Sequence, residues 1–352
     1  MPRLRRADCS GPGIRRRRRG RGWEYTAPDG SRVRDPETLA RIRGLAIPPA
    51  WTDVWICPPP NGHLQAVGTD AAGRRQYRYH DRWRTQRDLA KFDRVLDFAQ
   101  TLPEVRRRCA AALAADGLGR ERVLAAAVRM LDLGFFRIGS EAYAEENESY
   151  GLTTMHRAHV TVDGEVVVFD YPAKGGKRRV QSLVDPDVRD VVAALKRRRH
   201  ADPQLLAYKD GRRWVDVTAR DVNEFLKDAS RHDASAKDFR TWNATVLAAV
   251  ALAVSAPASR AKTTGKRAIS RAVAEVAHYL GNTPAVCRAS YIDPRVFDRY
   301  LSGWTIAGVI DQVGAVVEPG GLSTQGVIEE AVLDLLAYRR ASDALVHAGA
   351  GY

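Results

Sequence analysis

The hydrophobic pattern of the chain changes character near residue 86, and this change limits the folds that it can adopt. From 23 to 85, short β-type runs alternate with turn dipeptides such as Asn61-Gly62, which predicts a small, mostly β N-terminal domain. From 86 to 352, apolar residues recur with the period of a helix over long segments, as in Arg120 to Gly134. The sequence therefore predicts an α+β protein whose second domain is mainly α-helical.

One β insertion interrupts the predicted helices, at 157–183. Asp163-Gly164 lies between two β-type runs and is a strong signal for a two-residue hairpin. A second turn, from Ala173 to Gly176, leads into a third run, so the insertion is predicted to be a three-stranded antiparallel unit. Lys174 is thereby expected at the tip of a hairpin.

The positive charge of the chain is concentrated at its N-terminus. Residues 1–22 contain nine arginines and one aspartate, hence +8 of the formal net charge of +14. A Gly/Arg-rich segment of this kind is predicted to be a disordered basic tail, and nonspecific adhesion to a polyanion is its simplest role. The charge of the remaining residues, +6, points to nucleic acid only weakly.

Other features exclude several classes of protein. No apolar run approaches the roughly 20 residues of a membrane-spanning helix, and no apolar segment follows the basic N-terminus as in a secretory signal. A cytoplasmic protein without membrane contact is therefore expected. The four cysteines are scattered and have no histidine at ligand spacing, which indicates free thiols rather than a disulfide framework or a metal site.

Three separated motifs contain candidate catalytic residues, and each also has an ordinary structural interpretation. Arg137 lies in an apolar stretch, where its guanidinium needs either an internal carboxylate or an external anion. Lys237 and Arg240 share one face of a predicted helix N-terminus, which could hold a phosphate or simply be solvated. Tyr291, taken alone, could be a packing residue. From Ala307 onward the role of the chain stays open.

Together these motifs resemble the type IB DNA topoisomerases, most closely the poxvirus-like and bacterial branch. The resemblance runs from about Trp23 to Asp298, and five motifs in order make it specific. They are Gly-Arg-Arg-Gln-Tyr-Arg-Tyr at 73–79, Phe-Arg-Ile-Gly at 136–139, Glu-Asn-Glu-Ser-Tyr-Gly-Leu-Thr-Thr at 146–154, Lys-Asp-Phe-Arg-Thr-Trp at 237–242, and Asn-Thr-Pro through Ser-Tyr-Ile at 282–292.

The resemblance implies a role for each candidate residue. Tyr291 is the expected nucleophile, Arg137 and Arg240 the pair on the scissile phosphate, and Lys174 the general acid that protonates the leaving oxygen. Asn282 stands where many family members carry histidine, and an amide can donate a hydrogen bond to phosphate but cannot transfer a proton at neutral pH. Two fixed guanidiniums can stabilise the developing charge, so neither a metal ion nor ATP is expected as a cofactor.

In the N-terminal domain the resemblance implies contacts with double-stranded DNA. A monomer is expected to clamp the duplex between its two domains, with Gln76 as a possible reader of a base and the other side chains on phosphates. Lys237 of the helical domain is expected to add a contact. The expected DNA-binding residues of the β domain are Arg74, Arg75, Gln76, Tyr77 and Tyr79.

Two other functions fit parts of the same pattern. Tyrosine recombinases have a related catalytic fold and a similar set of Arg, Lys, Arg and Tyr, but they usually carry histidine three residues before the second arginine, where this chain has Lys237. A non-catalytic DNA-binding protein of this fold is expected to have lost catalytic side chains, whereas all five positions are filled here. The sequence therefore favours an enzyme that relaxes supercoiled DNA through a 3′-phosphotyrosyl intermediate.

Overall fold

A computed structural model describes residues 3–255, 262–312 and 324–348 of the chain. The chain divides into two compact units, Met1–Lys91 and Phe92–Tyr352, and the division falls within one long helix. The expected combination of a β-rich N-terminal region and a helical core is confirmed. Within the described ranges, no helix has the length and hydropathy that a membrane crossing needs.

The first unit is built on a five-stranded antiparallel sheet in the order β2-β1-β3-β4-β5. One face of the sheet packs against α1 through Ile14, Ile42, Ile56 and Ala66. Asp35 accepts a hydrogen bond from the backbone N–H of Thr38 and so caps this helix. The elements are β1 (Ile14–Arg19), β2 (Gly22–Thr26), α1 (Pro36–Gly44), β3 (Thr52–Ile56), β4 (Leu64–Thr69) and β5 (Arg75–Tyr79).

The prediction of a disordered tail over 1–22 is wrong for the described part of that segment. Strand β1 pairs with β2 on one side and with β3 on the other, and Ile14 is buried. Arg16 stacks on Trp23 and donates hydrogen bonds to three backbone carbonyls, including that of Trp51. The composition of this segment suggested disorder. The contacts that order it come from distant parts of the chain, and local composition carries no information about them.

The second unit is a bundle of helices around one apolar core. Its central helices are almost wholly buried, which explains their continuous apolar sequence. The helices are α2 (Asp81–Leu113), α3 (Arg120–Gly134), α4 (Glu141–Asn147), α5 (Pro186–Arg197), α6 (Ala219–Ser230), α7 (Ala236–Ala253), α8 (Lys262–Leu280), α9 (Pro284–Ser290), α10 (Pro294–Leu301) and α11 (Val327–Ala337).

A three-stranded antiparallel sheet, in the order β6-β7-β8, interrupts the helices where the sequence predicts a β insertion. The turn between its second and third strands contains Lys174, Gly175 and Gly176, and both glycines adopt positive φ angles of 81° and 71°. The strands of the second unit are β6 (Val160–Asp163), β7 (Val166–Ala173), β8 (Lys177–Val184), β9 (Ala207–Asp210), β10 (Arg213–Asp216), β11 (Trp304–Thr305) and β12 (Val346–His347).

The sequence suggests two helices, at 87–100 and 102–118, where the structure has the single helix α2. Pro103 lies inside it and cannot donate a backbone hydrogen bond there. Leu102 and Val105 on either side are buried in the core of the second unit. Burial of two such side chains contributes about 2 kcal/mol each, which offsets the cost of roughly 3 kcal/mol for an interior proline.

Helix α11 is fixed to the core by a buried ionic network. Glu329 accepts hydrogen bonds from Arg106 Nη1 at 2.5 Å and from Trp242 Nε1 at 2.7 Å, and Arg106 also donates to Asp132 at 2.8 Å. Trp242 belongs to α7, the helix that carries Arg240. The described part of the C-terminal segment, whose role the sequence leaves open, therefore packs on the core of the second unit and stabilises the position of α7.

Candidate active site

Arg240 is held in place by the ends of two other helices. It lies in the second turn of α7, whose first turn is stabilised by two hydrogen bonds that the backbone N–H and the hydroxyl of Ser235 donate to Asp238 Oδ2. Its guanidinium donates to the carbonyl of Phe135, just after α3, and to that of Leu280, at the end of α8, the latter at 2.9 Å. Only 3% of Arg240 is exposed, so its orientation is fixed by these carbonyls.

Arg137 is positioned by two loops that approach each other closely. Leu152 and Thr153 donate backbone hydrogen bonds to the carbonyls of Arg137 and Ile138, both at 2.8 Å. This contact requires Gly151, because a Cβ atom there would lie 2.4 Å from the backbone nitrogen of Gly139. The motifs at 136–139 and 146–154 are therefore two halves of one support for the Arg137 side chain.

Asn282 joins the arginine site to the segment that bears Tyr291. It follows Gly281, whose positive φ of 62° ends α8, and its Oδ1 atom accepts a hydrogen bond of 2.5 Å from Arg137 Nη2. Helix α9 then leads directly to Tyr291. Thr245 of α7 donates to the carbonyl of Tyr291 at 3.4 Å, so that residue is tied to the same helix as Arg240.

Arg137, Arg240 and Tyr291 line a cavity of about 270 Å³. Tyr291, 9% exposed, lines it together with four cationic residues, and no aspartate or glutamate occurs among the described residues of the lining. Lys174 reaches the cavity from the turn between β7 and β8. The cationic residues are Arg137, Lys174, Lys237 and Arg240.

The electrostatic environment of Tyr291 favours its phenolate. Burial raises the pKa of the phenol, but the charges of Arg240 and Arg137 and a hydrogen bond from Arg240 outweigh burial, so the pKa lies below its usual value of 10. The centre of the Arg240 guanidinium is 5.3 Å from the centroid of the tyrosine ring. Burial, followed by repulsion from Arg137, lowers the pKa of Arg240 to about 10.

We expect Tyr291 to titrate in the free protein before an ordinary tyrosine does. Alkaline titration of the wild type, followed by phenolate absorbance near 295 nm, is compared with that of Tyr291→Phe. Because the lowered pKa stabilises the phenolate, the difference between the two proteins should appear below pH 10. A difference that develops only above pH 10 would mean that burial outweighs the two arginines.

Two donors beside Tyr291 have no hydrogen-bond partner among the described residues. They are Nε of Arg240 and Nδ2 of Asn282, and both atoms are shielded from solvent. An unpaired buried donor costs about 1 to 3 kcal/mol, so native proteins rarely retain one without a reason. Because the Asn282 oxygen already accepts from Arg137, its amide nitrogen remains available to donate. Arg240 lines the cavity, and Asn282 is hydrogen-bonded to Arg137, which also lines it.

The three motifs with open interpretations converge in the second unit. Among the described side chains, no carboxylate pairs with Arg137, so the internal carboxylate that the sequence allows is not found. Lys237 is exposed, but it also lines the cavity. It is therefore part of the site and not only a solvated residue in the first turn of the helix. The structure thus brings together Tyr291, Arg137, Lys174, Arg240 and Lys237 at one cavity, with Asn282 bound to Arg137.

The N-terminal residues expected at DNA lie on both faces of strand β5. Tyr77 and Tyr79 are 45% and 41% exposed and stack with their ring centroids 6.2 Å apart, and Arg75 shares their face. Gln76 points to the other face, where it donates to Asp70 Oδ2 at 2.9 Å, and Arg74 forms an ion pair with the same carboxylate. Reading of a base by Gln76 therefore requires release from Asp70.

Sequence reasoning missed two residues near the site. Tyr150 lines the cavity although the motif that contains it received no role. Arg179 on β8 donates to the carbonyl of Tyr279 at 2.5 Å and to Gln181 at 2.7 Å, which connects the Lys174 hairpin to the end of α8. A run of basic residues after the predicted turn was the available signal, but it did not show which arginine faces inward.

Comparison with known proteins identifies the family. Residues 80–302 match the model for the catalytic core of eukaryotic DNA topoisomerase I, and residues 22–70 match the model for the N-terminal domain of bacterial DNA topoisomerase IB. DNA topoisomerase 1B of Acanthamoeba polyphaga mimivirus is 29% identical over 295 residues, which cover 82% of this chain and 87% of the relative. DNA topoisomerase 1B of Vaccinia virus strain Copenhagen is 23% identical over 235 residues, 66% of this chain and 71% of the relative.

The first of these models spans more than half of the chain and contains every residue that the cavity brings together. The order of the motifs along the chain and the cluster they form in space agree with this match. The chain belongs to the type IB DNA topoisomerases, a family of isomerases that act on DNA.

Proposed function

We propose that this protein relaxes supercoiled DNA by cleaving one strand with Tyr291, which forms a covalent bond to the 3′ phosphate. The observation that supports this most directly is the cavity itself. It places a phenol with a lowered pKa among four cations, and its described lining contains no acidic residue. Such a site attracts a phosphodiester and activates the nucleophile that attacks it.

The cleavage step exchanges one phosphodiester for another. The Tyr291 oxygen forms a bond to phosphorus, the bond from phosphorus to the 5′ oxygen breaks, and Lys174 supplies a proton to that oxygen. Arg137 and Arg240 stabilise the charge that develops on the nonbridging oxygens, as cations do in other phosphoryl transfers. Rejoining reverses each step, with the 5′ hydroxyl as nucleophile and the Tyr291 phenolate as leaving group.

We assign Asn282 a supporting role at the phosphate. Its free amide nitrogen can donate to a nonbridging oxygen, while its carbonyl oxygen holds Arg137. An amide has no proton to transfer near neutral pH, so the general acid must lie elsewhere. We assign that role to Lys174, which reaches the cavity from the turn between β7 and β8.

The energy for relaxation comes from the DNA in this proposal. Because bond exchange conserves the phosphodiester energy, torsional strain in the DNA drives rotation between cleavage and rejoining, and ATP is not needed. Two fixed guanidiniums provide the charge that a divalent cation provides in many phosphoryl-transfer enzymes, so no metal ion is required. Positive and negative supercoils are then equally suitable substrates.

The remaining features of the proposal rest on the family resemblance. The substrate is double-stranded DNA, and the enzyme acts as a monomer that clamps the duplex. The order of Arg137, Lys174, Arg240 and Tyr291 supports a catalytic unit related to the tyrosine recombinases. A cytoplasmic location, on the nucleoid in a bacterial cell, remains an expectation from the sequence.

A plasmid assay tests the proposed function. Purified protein in EDTA without ATP should relax both negatively and positively supercoiled plasmid. Denaturation during the reaction should trap a covalent complex of protein and nicked DNA. Relaxation that requires Mg²⁺ or ATP, or that proceeds without a trapped complex, would contradict this mechanism.

Lys174→Ala should slow cleavage of an ordinary phosphodiester by about 10² to 10⁴-fold, the usual contribution of a general acid. The same variant should cleave a substrate with sulfur in place of the bridging 5′ oxygen at nearly the wild-type rate. A thiol has a pKa of about 8.5, so a thiolate leaves without protonation.

Lys177→Ala, at the other end of the same turn, is the matched control and should change neither rate strongly. Equal slowing of Lys174→Ala on the oxygen and the sulfur substrates would rule out its role as the acid.

A further inference from the structure

The strand register places arginines of β1 on the same sheet face as the aromatic residues of β5. Arg15 pairs with Trp55, Trp55 with Val67, and Val67 with Tyr77, and directly paired residues share a face. Since side chains alternate along a strand, residues two positions away belong to that face as well. We call this the arginine–tyrosine face; it comprises Arg15, Arg17 and Arg19 of β1 and Arg75, Tyr77 and Tyr79 of β5.

The β1 arginines of this face are exposed and only partly neutralised. Among the described residues, the side chains of Arg15 and Arg17 make no hydrogen bond or ion pair. Arg19 pairs with Glu24 at 2.8 Å, an exposed contact that contributes little to stability. Arg16, on the opposite face, is occupied by three backbone carbonyls. The alternation therefore places Arg16, which stabilises the fold, and the exposed Arg18 on one face of the sheet, and three exposed arginines on the other.

The distance between the arginines of β1 and the tyrosines of β5 suits one groove of a DNA duplex. Strands β3 and β4 lie between β1 and β5, and on this face Ala7 and Cys9 cover Trp55 and Val67. The β1 arginines and the β5 tyrosines therefore flank that segment, three strand spacings or about 14 Å apart. The major groove of B-DNA is about 12 Å wide, with a phosphate backbone along each edge. Along β1, the three arginines extend over about 13 Å, a length in which a duplex carries roughly eight phosphate charges.

We propose that Arg15, Arg17 and Arg19 form an ordered phosphate-binding strip, which contacts the backbone across the groove from Tyr77 and Tyr79. The strip adds affinity for DNA that does not depend on the base sequence. The family resemblance implies DNA contacts on this face only for β5. Strand β1 precedes residues 22–70, which match the N-terminal domain of the bacterial enzymes. This inference rests on the proposed duplex substrate.

The salt dependence of DNA binding measures how many phosphates the strip contacts. The full chain binds a labelled duplex of about 30 base pairs, followed by fluorescence anisotropy over a series of salt concentrations. Removal of one protein–phosphate interaction lowers the magnitude of the negative slope of log K against log salt, called the slope below, by about 0.9. The triple variant Arg15→Gln, Arg17→Gln, Arg19→Gln should therefore lower the slope by about 2.7 relative to the wild type.

Adjacent arginines provide a matched control. Arg17→Gln should lower the slope by about 0.9, whereas Arg18→Gln should leave it unchanged. Both residues are exposed and both changes remove one charge, but Arg18 faces the opposite side of the sheet. Equal effects of the two variants, or an unchanged slope in the triple variant, would overturn the proposal. Circular dichroism melting curves check that each variant is folded.

Formation of the covalent complex separates this proposal from the proposed function. At low salt and saturating DNA, the control variant Arg18→Gln should form the Tyr291 complex at the wild-type rate, because all of the residues that line the cavity are unchanged. A wild-type protein that forms no complex refutes the proposed function whatever the slopes are. A triple variant that forms the complex but keeps the wild-type slope refutes the strip alone.

Discussion

Tyr291→Phe is expected to abolish relaxation of plasmid DNA, with no trapped covalent complex at any time of incubation. The variant lacks only the phenolic oxygen, the atom that bonds to phosphorus. Its ring remains buried, and its backbone carbonyl still accepts from Thr245. The change in the free energy of unfolding should therefore be about 1 kcal/mol or less.

Binding measurements show whether this loss is chemical. The variant should bind duplex DNA within about threefold of the wild type, a difference below 1 kcal/mol, because the cationic residues of the cavity are intact. Tyr279→Phe is the matched control, since Tyr279 is half-exposed and is not part of the cavity lining. Full relaxation by Tyr291→Phe would disprove the nucleophile assignment.

Arg137→Ala is expected to lower the rate of cleavage by about 10³ to 10⁵-fold, the range seen when a catalytic arginine is removed in phosphoryl transfer. Arg137 is the better test of the pair because its side chain bonds to Asn282 and Gly281. Arg240 holds the ends of α3 and α8 in addition, so its removal also disturbs the fold. Single-turnover cleavage of a radiolabelled duplex measures the rate.

Two further variants separate catalysis from charge. Arg137→Lys keeps the charge but lacks the planar pair of donors, so we expect it to recover only part of the activity. Arg220→Ala removes an equal charge from an exposed residue that pairs with Glu224, away from the cavity, and should change the rate less than twofold, since surface pairs contribute little. If Arg137→Ala were as active as Arg220→Ala, the phosphate role of Arg137 would be wrong.

The sequence predicted the larger elements of the fold because their signals are local. The Asp163-Gly164 turn predicted the hairpin of β6 and β7, and the turn from Ala173 to Gly176 predicted the pairing of β7 with β8. Where the structure differs from the prediction, the cause is contact between residues that are distant in sequence. Strand β1 exists because Ile14 is buried between distant residues, and α2 continues through Pro103 because both flanks are buried. Neither burial can be read from neighbours in sequence.

The residues of the candidate site could be predicted from the sequence, but the contacts among them could not. The family resemblance named Tyr291, Arg137, Lys174, Arg240 and Asn282 as candidates, and the structure brings the first four together at one cavity, with Asn282 bound to Arg137. What the sequence could not provide is which side chains hold one another, such as Asn282 on Arg137, or Gln76 on Asp70. These contacts depend on where separate loops meet, and they determine which donors remain free for the substrate.

The most direct test of the proposed mechanism is to locate the covalent bond. Protein trapped on a duplex labelled on either side of the cleavage site is digested with protease, and the peptide that carries nucleotide is sequenced by mass spectrometry. We predict a single modified residue, Tyr291, linked to the 3′ phosphate of the cleaved strand. A bond at another residue, or to a 5′ phosphate, would contradict the mechanism.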